Sequence, residues 1–444
     1  MKGIVTAVLI GFSLFALALL AFSFSHATLI GLVAFLVTLW TNEAMPLGVV
    51  SILPILLFPV FGILDTNEVT ANYSKSIIFL FLGGFMLAIA IEKTGLHKYF
   101  SAKLLSFFPK TSTGIIYALA VTAALLSSVL SNTTITLMLM PIALFLSENK
   151  KLKKRFLLAT AYGASIGGIL TPIGTPPNLI LMGFLEEHHL PSLAFGEWML
   201  LMFPAIVLML LVMPWILSRG VENENVEDVN HTVLELTHTQ KRLYFIVVLL
   251  AFVLLVNTFL KQIFGFSLNE KLVLLSFGLL MFVPHIGFLD WEDTRSMPYE
   301  IIFLFGAGFS IAAAFSSTGL ASDIAAKLSF ISMMPLFWMF VVVALFVTFS
   351  TEVTSNTALT SIAIPIFYEF AKNMPQNEGT MLLMVATVAA SYAFMLPIAT
   401  PPNAIIMSSG IISIRHMANI GLKLNIIGVI VLSVVAYMVW PWLM

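Results

Sequence analysis

Two polar clusters interrupt otherwise apolar sequence: Ser127-Ser128-Val129-Leu130-Ser131-Asn132-Thr133-Thr134, and Ser350-Thr351-Glu352-Val353-Thr354-Ser355-Asn356-Thr357. Hydroxyls and amides donate and accept hydrogen bonds, and their oxygens are hard ligands of the kind small cations prefer. A second pair of motifs follows, Thr171-Pro172-Ile173-Gly174-Thr175-Pro176-Pro177-Asn178 and Leu396-Pro397-Ile398-Ala399-Thr400-Pro401-Pro402-Asn403. Prolines so closely spaced cannot remain helical, so each motif opens backbone N–H and carbonyl groups to a ligand. No Lys, Arg or His falls within 111–147, 156–184, 336–370 or 381–414. An anion bound there would be held by hydroxyls, amides and backbone N–H groups, and a dianion would need co-bound cations to balance its charge. Charge balance therefore favours cation-coupled anion uptake. H-E-x-x-H does not occur, and there is no paired intramembrane Asp, which argues against the zinc- and aspartate-based hydrolase chemistries.

The elements that must position these groups are membrane helices. Of 444 residues, 59% are hydrophobic and 10% charged, with a mean hydropathy of +1.03. A soluble domain carries about 25% charged residues, so a water-soluble protein is excluded. Period-two alternation is absent, which excludes an outer-membrane barrel. A formal net charge of −1 offers no basic face to nucleic acid, and the absence of cysteine excludes disulfides and thiolate sites. The run from Met1-Lys2 to Phe24 is too long for a signal peptide, and His26-Ala27 is a poor cleavage site, so it reads as an uncleaved span.

Apolar segments 113–147 and 336–370 each hold 35 residues, about 50 Å of helix against a hydrocarbon core of about 30 Å. Each must turn back on itself, and the Ser/Thr/Asn cluster at its middle fits the tip of a re-entrant hairpin. Segments 156–184 and 380–412, carrying the proline motifs, read as broken helices beside those tips. The two sets are related by an internal repeat. Ile77-Ile78-Phe79-Leu80-Phe81, Thr94-Gly95-Leu96 and Ser131-Asn132-Thr133 recur 224 positions later, and Gly62, Leu64, Asp65 and Thr175-Pro176-Pro177-Asn178 recur at 225. The chain divides into an extra span (1–24), a first repeat (25–217), a hydrophilic linker (218–241) with Glu222, Glu224, Glu227, Asp228 and Glu235, and a second repeat (242–444). With a cytoplasmic N-terminus and both hairpins, of the 21 Lys and Arg only Lys75, Lys261, Lys271, Lys327 and Lys372 lie outside. The repeats then have opposite orientation, the architecture of secondary transporters, and this favours alternating access over a channel. The expected fold is an all-α polytopic membrane protein with about 11 transmembrane helices and two re-entrant hairpins.

Paired Ser-Asn-Thr tips, each followed by a Thr-Pro-Pro-Asn break, resemble the divalent anion:sodium symporter family, and the resemblance covers essentially the whole chain. It implies that Ser131, Asn132 and Thr133 with Ser355, Asn356 and Thr357 grip the two carboxylates of a C4-dicarboxylate such as succinate, fumarate or malate, helped by Thr175, Pro176, Thr400 and Pro401. It implies one Na⁺ around Ser127, Ser131, Asn132 and Gly174 and another around Thr351, Thr354, Asn356 and Ala399, with no organic cofactor. A homodimer in the bacterial inner membrane and an elevator movement are implied too. Ser127 becomes Thr351 and Gly174 becomes Ala399 between repeats, so the two cation sites should differ. Dicarboxylate exchange, or sodium-coupled sulfate or citrate transport, stays open as an alternative within the family; two equivalent tips suit two carboxylates better than one tetrahedral sulfate.

Other polar residues have plainer readings. Glu352 is either functional, as intramembrane ionisable groups are by default, or a cap on nearby backbone. Asp65 and Asp290 suit helix termini rather than a proton relay. Glu186-Glu187-His188-His189 reads as an external surface loop, and Lys150, Lys151, Lys153, Lys154 and Arg155 as a topology determinant in contact with lipid headgroups. Gly163, Gly167 and Gly168 read as close helix contacts, and the 38 Phe as packing and lipid-facing mass.

Overall fold

The computed structural model describes residues 2–42, 44–191, 193–222, 224, 235–264 and 268–444, and among these every regular element is helical. Glu227 and Asp228 of the expected linker lie outside the described residues. The first half comprises α1 (Lys2–Ala18), α2 (Phe24–Thr41), α3 (Leu47–Val60), α4 (Thr66–Ala71), α5 (Ser76–Thr94), α6 (Leu96–Ser106), α7 (Ser112–Ser127), α8 (Asn132–Phe145), α9 (Lys150–Gly167), α10 (Pro176–Glu187) and α11 (Phe195–Ser218). The second comprises α12 (His238–Phe264), α13 (Glu270–Leu280), α14 (Tyr299–Thr318), α15 (Leu320–Lys327), α16 (Leu336–Thr351), α17 (Asn356–Ala371), α18 (Gln376–Ala389), α19 (Pro401–Ser408), α20 (Ile414–Met438) and α21 (Trp440–Leu443). Six stretches among the described residues are long and apolar enough to cross a bilayer: Phe24–Thr41, Thr66–Thr94, Phe195–Ser218, His238–Asn257, Tyr299–Thr318 and Ile414–Met438. Shorter apolar helices, including α1, α3, α7, α8 and α16, accompany them.

Repeated sequence produces repeated local structure. Both copies of Thr-Gly-Leu make the same turn: Gly95, at φ 71°, ends α5 and starts α6, and Gly319, at φ 76°, does so between α14 and α15. Only glycine adopts this left-handed geometry without a β-carbon penalty. Asp65 and Asp290 also sit alike, each preceding a helix and giving its backbone N–H to a carboxylate three residues on, Glu68 at 3.2 Å and Asp293 at 2.6 Å. Both overlong segments divide at their polar clusters, α7 from α8 at 128–131 and α16 from α17 at 352–355. Both proline motifs divide a helix likewise, α9 from α10 and α18 from α19.

Packing crosses between the halves: α10 lies against α17 and α14, and α19 against α8 and α9, while α5 packs on α13 and α3 on α14. The largest buried apolar cluster is drawn mainly from α7–α11 and α16–α20. Two others gather around α5 with α12 and α13, and around α2 and α3 with α14. Within the largest, Gly163 and Gly167 let α9 approach α7 to backbone contact, since a β-carbon on Gly167 would fall 2.1 Å from the Ala124 carbonyl oxygen.

The Glu186–His189 segment lies at the surface as its sequence suggests, with His188-His189 in a turn, but its acidic half is helical. Glu186 and Glu187 form the last turn of α10, where Glu187 meets Lys75 at 2.5 Å and Glu186 pairs with Lys271 and Ser76. His188 stacks on Phe184 at 3.9 Å and meets Tyr368 edge-on. Apolar residues of α10 carry the helix through the acidic pair, and lysines at the starts of α5 and α13 compensate that charge.

Candidate functional site

In the first half, Ser131 caps the start of α8 with extended backbone and makes no capping bond through its side chain. Its hydroxyl is exposed, with Asn132 and Thr133 half-buried in the turn that follows. Ser127, at the end of α7, is fully buried and donates its hydroxyl proton to Asn132 Oδ1. Gly168 stands opposite. A β-carbon there would lie 2.8 Å from Asn132 Oδ1 and 3.1 Å from the Gly174 carbonyl oxygen. Only a residue without a β-carbon keeps the space beside those oxygens open, so Gly168 belongs to this cluster and not to the α7–α9 contact expected of it. Ser127 and Asn132 are thereby brought together, with the Gly174 carbonyl oxygen beside the same space.

The second half repeats the arrangement with larger groups. Ser355 caps α17, again without a side-chain capping bond, with Asn356 half-buried and Thr357 buried behind it. Thr351 Oγ1 lies 2.6 Å from Asn356 Oδ1 and 3.0 Å from the Ala390 carbonyl oxygen. One hydroxyl proton cannot satisfy both acceptors, so three oxygens converge with a single hydrogen among them. That electron-rich cluster suits a cation. Thr354 is turned away, its hydroxyl donating to the Ser350 carbonyl at 3.0 Å, which leaves its remaining oxygen capacity for any ligand. The counterparts of Gly168 and Gly174 are Ala393 and Ala399, both buried, so methyl groups stand where the first cluster is open.

Unwound backbone inside a bilayer must find partners within the protein. Here the partners are specific side chains. Asn178 Nδ2 donates to the carbonyls of Gly168 at 3.3 Å and Thr171 at 2.8 Å, and Trp198 Nε1 donates to Ile169 O at 2.9 Å. Asn403 Nδ2 donates to the carbonyls of Ala393 at 2.9 Å and Leu396 at 3.0 Å, while the Tyr162 hydroxyl donates to Phe394 O at 2.7 Å. Glu352 resolves into the second of its two readings. Its carboxylate accepts from the N–H groups of Met395 and Leu396, both at 2.9 Å, and from Asn425 Nδ2 at 2.7 Å. It ties the tip before α17 to the break before α19, and Thr171, donating to the Ser128 carbonyl, ties the equivalent pair in the first half. Thr175 and Thr400 are buried caps of α10 and α19, followed by half-buried Pro176 and exposed Pro401. Asn178, Asn403 and Asn425 were given no role in the sequence reading, and Gly168 was given a different one. The first two were visible as the last letter of the repeated Thr-Pro-Pro-Asn motif.

The chain matches the citrate transporter family (CitMHS) over residues 33–389. It is 30% identical over 479 residues to the sodium-dependent dicarboxylate transporter SdcS of Staphylococcus saprophyticus, covering 99% of this chain and 92% of that protein. The Staphylococcus aureus RF122 protein of the same name is 31% identical over 438 residues, 91% of this chain and 84% of that one. Among solved structures, the Neisseria gonorrhoeae efflux pump MtrF superposes with a TM-score of 0.58 at 12% identity, covering 94% of this chain and 95% of that one. The Alcanivorax borkumensis YdaH transporter gives 0.55 at 14% identity, with coverages of 84% and 87%. At those identities the likeness is one of fold.

Proposed function

The chain belongs to the citrate transporter family, a multi-pass membrane transporter rather than an enzyme as its likeness to the divalent anion:sodium symporters implied, and from that premise we propose that it takes up C4-dicarboxylates coupled to Na⁺. The observation that carries this reading is the doubled tip. Two Ser-Asn-Thr turns present hydroxyl and amide groups to a dianion, and behind each an oxygen cluster of Ser127 with Asn132, or Thr351 with Asn356, suits a small cation. Ser131, Asn132, Thr133, Ser355, Asn356 and Thr357 hold the two carboxylates, with Thr175, Pro176, Thr400 and Pro401 completing the pocket at the helix breaks. Ser127, Ser131, Asn132 and Gly174 hold one Na⁺; Thr351, Thr354, Asn356 and Ala399 hold the other. The names of the staphylococcal relatives support both the ion and the substrate class.

In this reading the halves are inverted repeats, the two broken segments are re-entrant hairpins, and the N-terminus is cytoplasmic in a bacterial inner membrane. A body built on α7–α11 and α16–α20 moves as an elevator against the remaining helices, which form the homodimer. More than two Na⁺ per dianion would make uptake electrogenic, each net charge contributing about 2.3 kcal/mol per 100 mV.

Radiolabelled succinate uptake in proteoliposomes tests the proposal, with and without an inward Na⁺ gradient and with and without internal succinate. Accumulation that follows the gradient is expected. Uptake that needs only internal dicarboxylate would make the protein an exchanger. Because the matched family is described as citrate transporters, labelled citrate belongs in the same series, and citrate uptake without succinate uptake would replace the substrate assigned here.

A further inference from the structure

A second polar constellation lies outside the tips, where α9, α11 and α20 meet. A cavity of about 550 Å³ opens there between Arg155, Arg219, His416 and Lys423. No carboxylate lines it among the described residues, and none of the four forms an ion pair with a described residue. Their spacing is helical: Trp215 and Arg219 are one turn apart on α11, and His416, Asn419 and Lys423 follow one face of α20. The Arg219 guanidinium rests 3.6 Å from the centroid of the Trp215 ring, and His416 Nε2 is buried with no hydrogen-bond partner. Arg155, Arg219 and Lys423, gathered with no counter-charge among the described residues that line the cavity, repel one another, and a bound anion removes that cost.

The surroundings say which anion. Both α11 and α20 are candidate membrane spans, and the cavity sits at the end of one and the beginning of the other. Lys423 is nine residues into α20, about 14 Å along its axis, so its amine is reached from within the apolar layer. Exposed apolar side chains continue away from the cations, Leu208 and Leu211 on α11 and Ile426 and Ile430 on α20. Ile216 and Ile427 close the cavity on that side. A water-soluble ion has no use for such a wall, whereas two acyl chains do.

We propose that this cavity binds the phosphate headgroup of an anionic membrane phospholipid, with Arg155, Arg219, His416 and Lys423 around the phosphate and the acyl chains along α11 and α20. Basic pockets between membrane helices suit such headgroups, each cation contributing about fivefold in affinity. The site is separate from the transport site and does not depend on which anion is carried.

The test counts lipid bound to the purified full-length protein by native mass spectrometry, titrated with dioleoylphosphatidylglycerol, with dioleoylphosphatidylcholine, and with sodium phosphate alone. Saturable retention of phosphatidylglycerol over phosphatidylcholine is expected, weakened roughly 25-fold in R155Q/K423Q and about fivefold in R219Q, whose side chain is exposed and whose loss leaves folding intact. The variant K150Q/K151Q removes the same number of charges, from the helix that carries Arg155, at residues that do not line the cavity, and should bind as the parent does. Equal binding of both lipids, unchanged binding in R155Q/K423Q and R219Q, or an equal loss in K150Q/K151Q would each overturn the proposal. Displacement of the lipid by sodium phosphate alone would overturn the lipid assignment and leave a free-anion site.

Discussion

Gly168→Ala separates the first cation cluster from the stability of the fold. The residue ends α9 at φ −58° and ψ −20°, ordinary right-handed geometry that alanine adopts without strain. On backbone grounds the change should be neutral or stabilising by about 0.4–1 kcal/mol. What it adds is one methyl group, 2.8 Å from Asn132 Oδ1 and 3.1 Å from the Gly174 carbonyl oxygen. Ordinary contact needs more than that, so the Asn132 side chain must withdraw by several tenths of an ångström and its oxygen leaves the cluster with Ser127. Losing one oxygen from a charged partner costs about 1.5–3 kcal/mol, or roughly ten- to hundredfold in Na⁺ affinity. The assay is initial succinate uptake in proteoliposomes as external Na⁺ is raised. The half-saturating Na⁺ concentration should rise at least about tenfold, with a melting temperature near that of the parent. Uptake with the parent's Na⁺ dependence would refute the assignment of this space to a cation.

Asn132→Ala and Asn356→Ala should each abolish uptake while the protein still inserts and purifies, because each removes a substrate donor and a cation oxygen together; normal uptake by either would sink the proposed pocket. Glu352→Gln should destabilise the protein by about 1–3 kcal/mol, since a glutamine offers one acceptor oxygen where the carboxylate gives two to the Met395 and Leu396 N–H groups. Thermal melting in detergent reads that loss, and an unchanged melting curve would mean the carboxylate does not brace the break. Glu186→Gln should change the uptake rate by less than about fivefold, its pair with Lys271 being partly exposed and such pairs contributing 1 kcal/mol or less. A dead variant would show that the end of α10 takes part in transport.

The contrast between Glu352 and Gly168 explains how far the sequence could be read. Breaks in the helices were legible because their causes are local: prolines at 172, 176 and 177, and apolar segments too long for a bilayer, dictate interruption wherever the chain is folded. Repetition then paired the two tips, since Ser131-Asn132-Thr133 and Ser355-Asn356-Thr357 keep one offset with the flanking Thr-Gly-Leu turns. Glu352 stayed ambiguous because its partners lie 43, 44 and 73 positions away, and no local pattern announces a carboxylate that will meet Met395, Leu396 and Asn425. Gly168 was misassigned for the same reason. Beside Gly163 and Gly167 it continues a small-residue stripe, yet α9 ends at Gly167, so the next glycine turns from α7 toward Asn132. The acidic pair at 186–187 shows the converse error, polar residues taken for a loop when lysines from α5 and α13 let the helix run on. Each miss concerns a group whose partner comes from a distant segment. The repeat offers a partial remedy: comparing Gly168 with Ala393 and Gly174 with Ala399 identifies two positions beside the clusters where, as at Ser127 and Thr351, the halves differ by a single methyl group. If those methyls set the room around each cation, the first cluster should bind Na⁺ with its ligands already in place, while the second must move Thr351 or Ala390 to admit one. That difference would make the two cations bind in order, the first before the second.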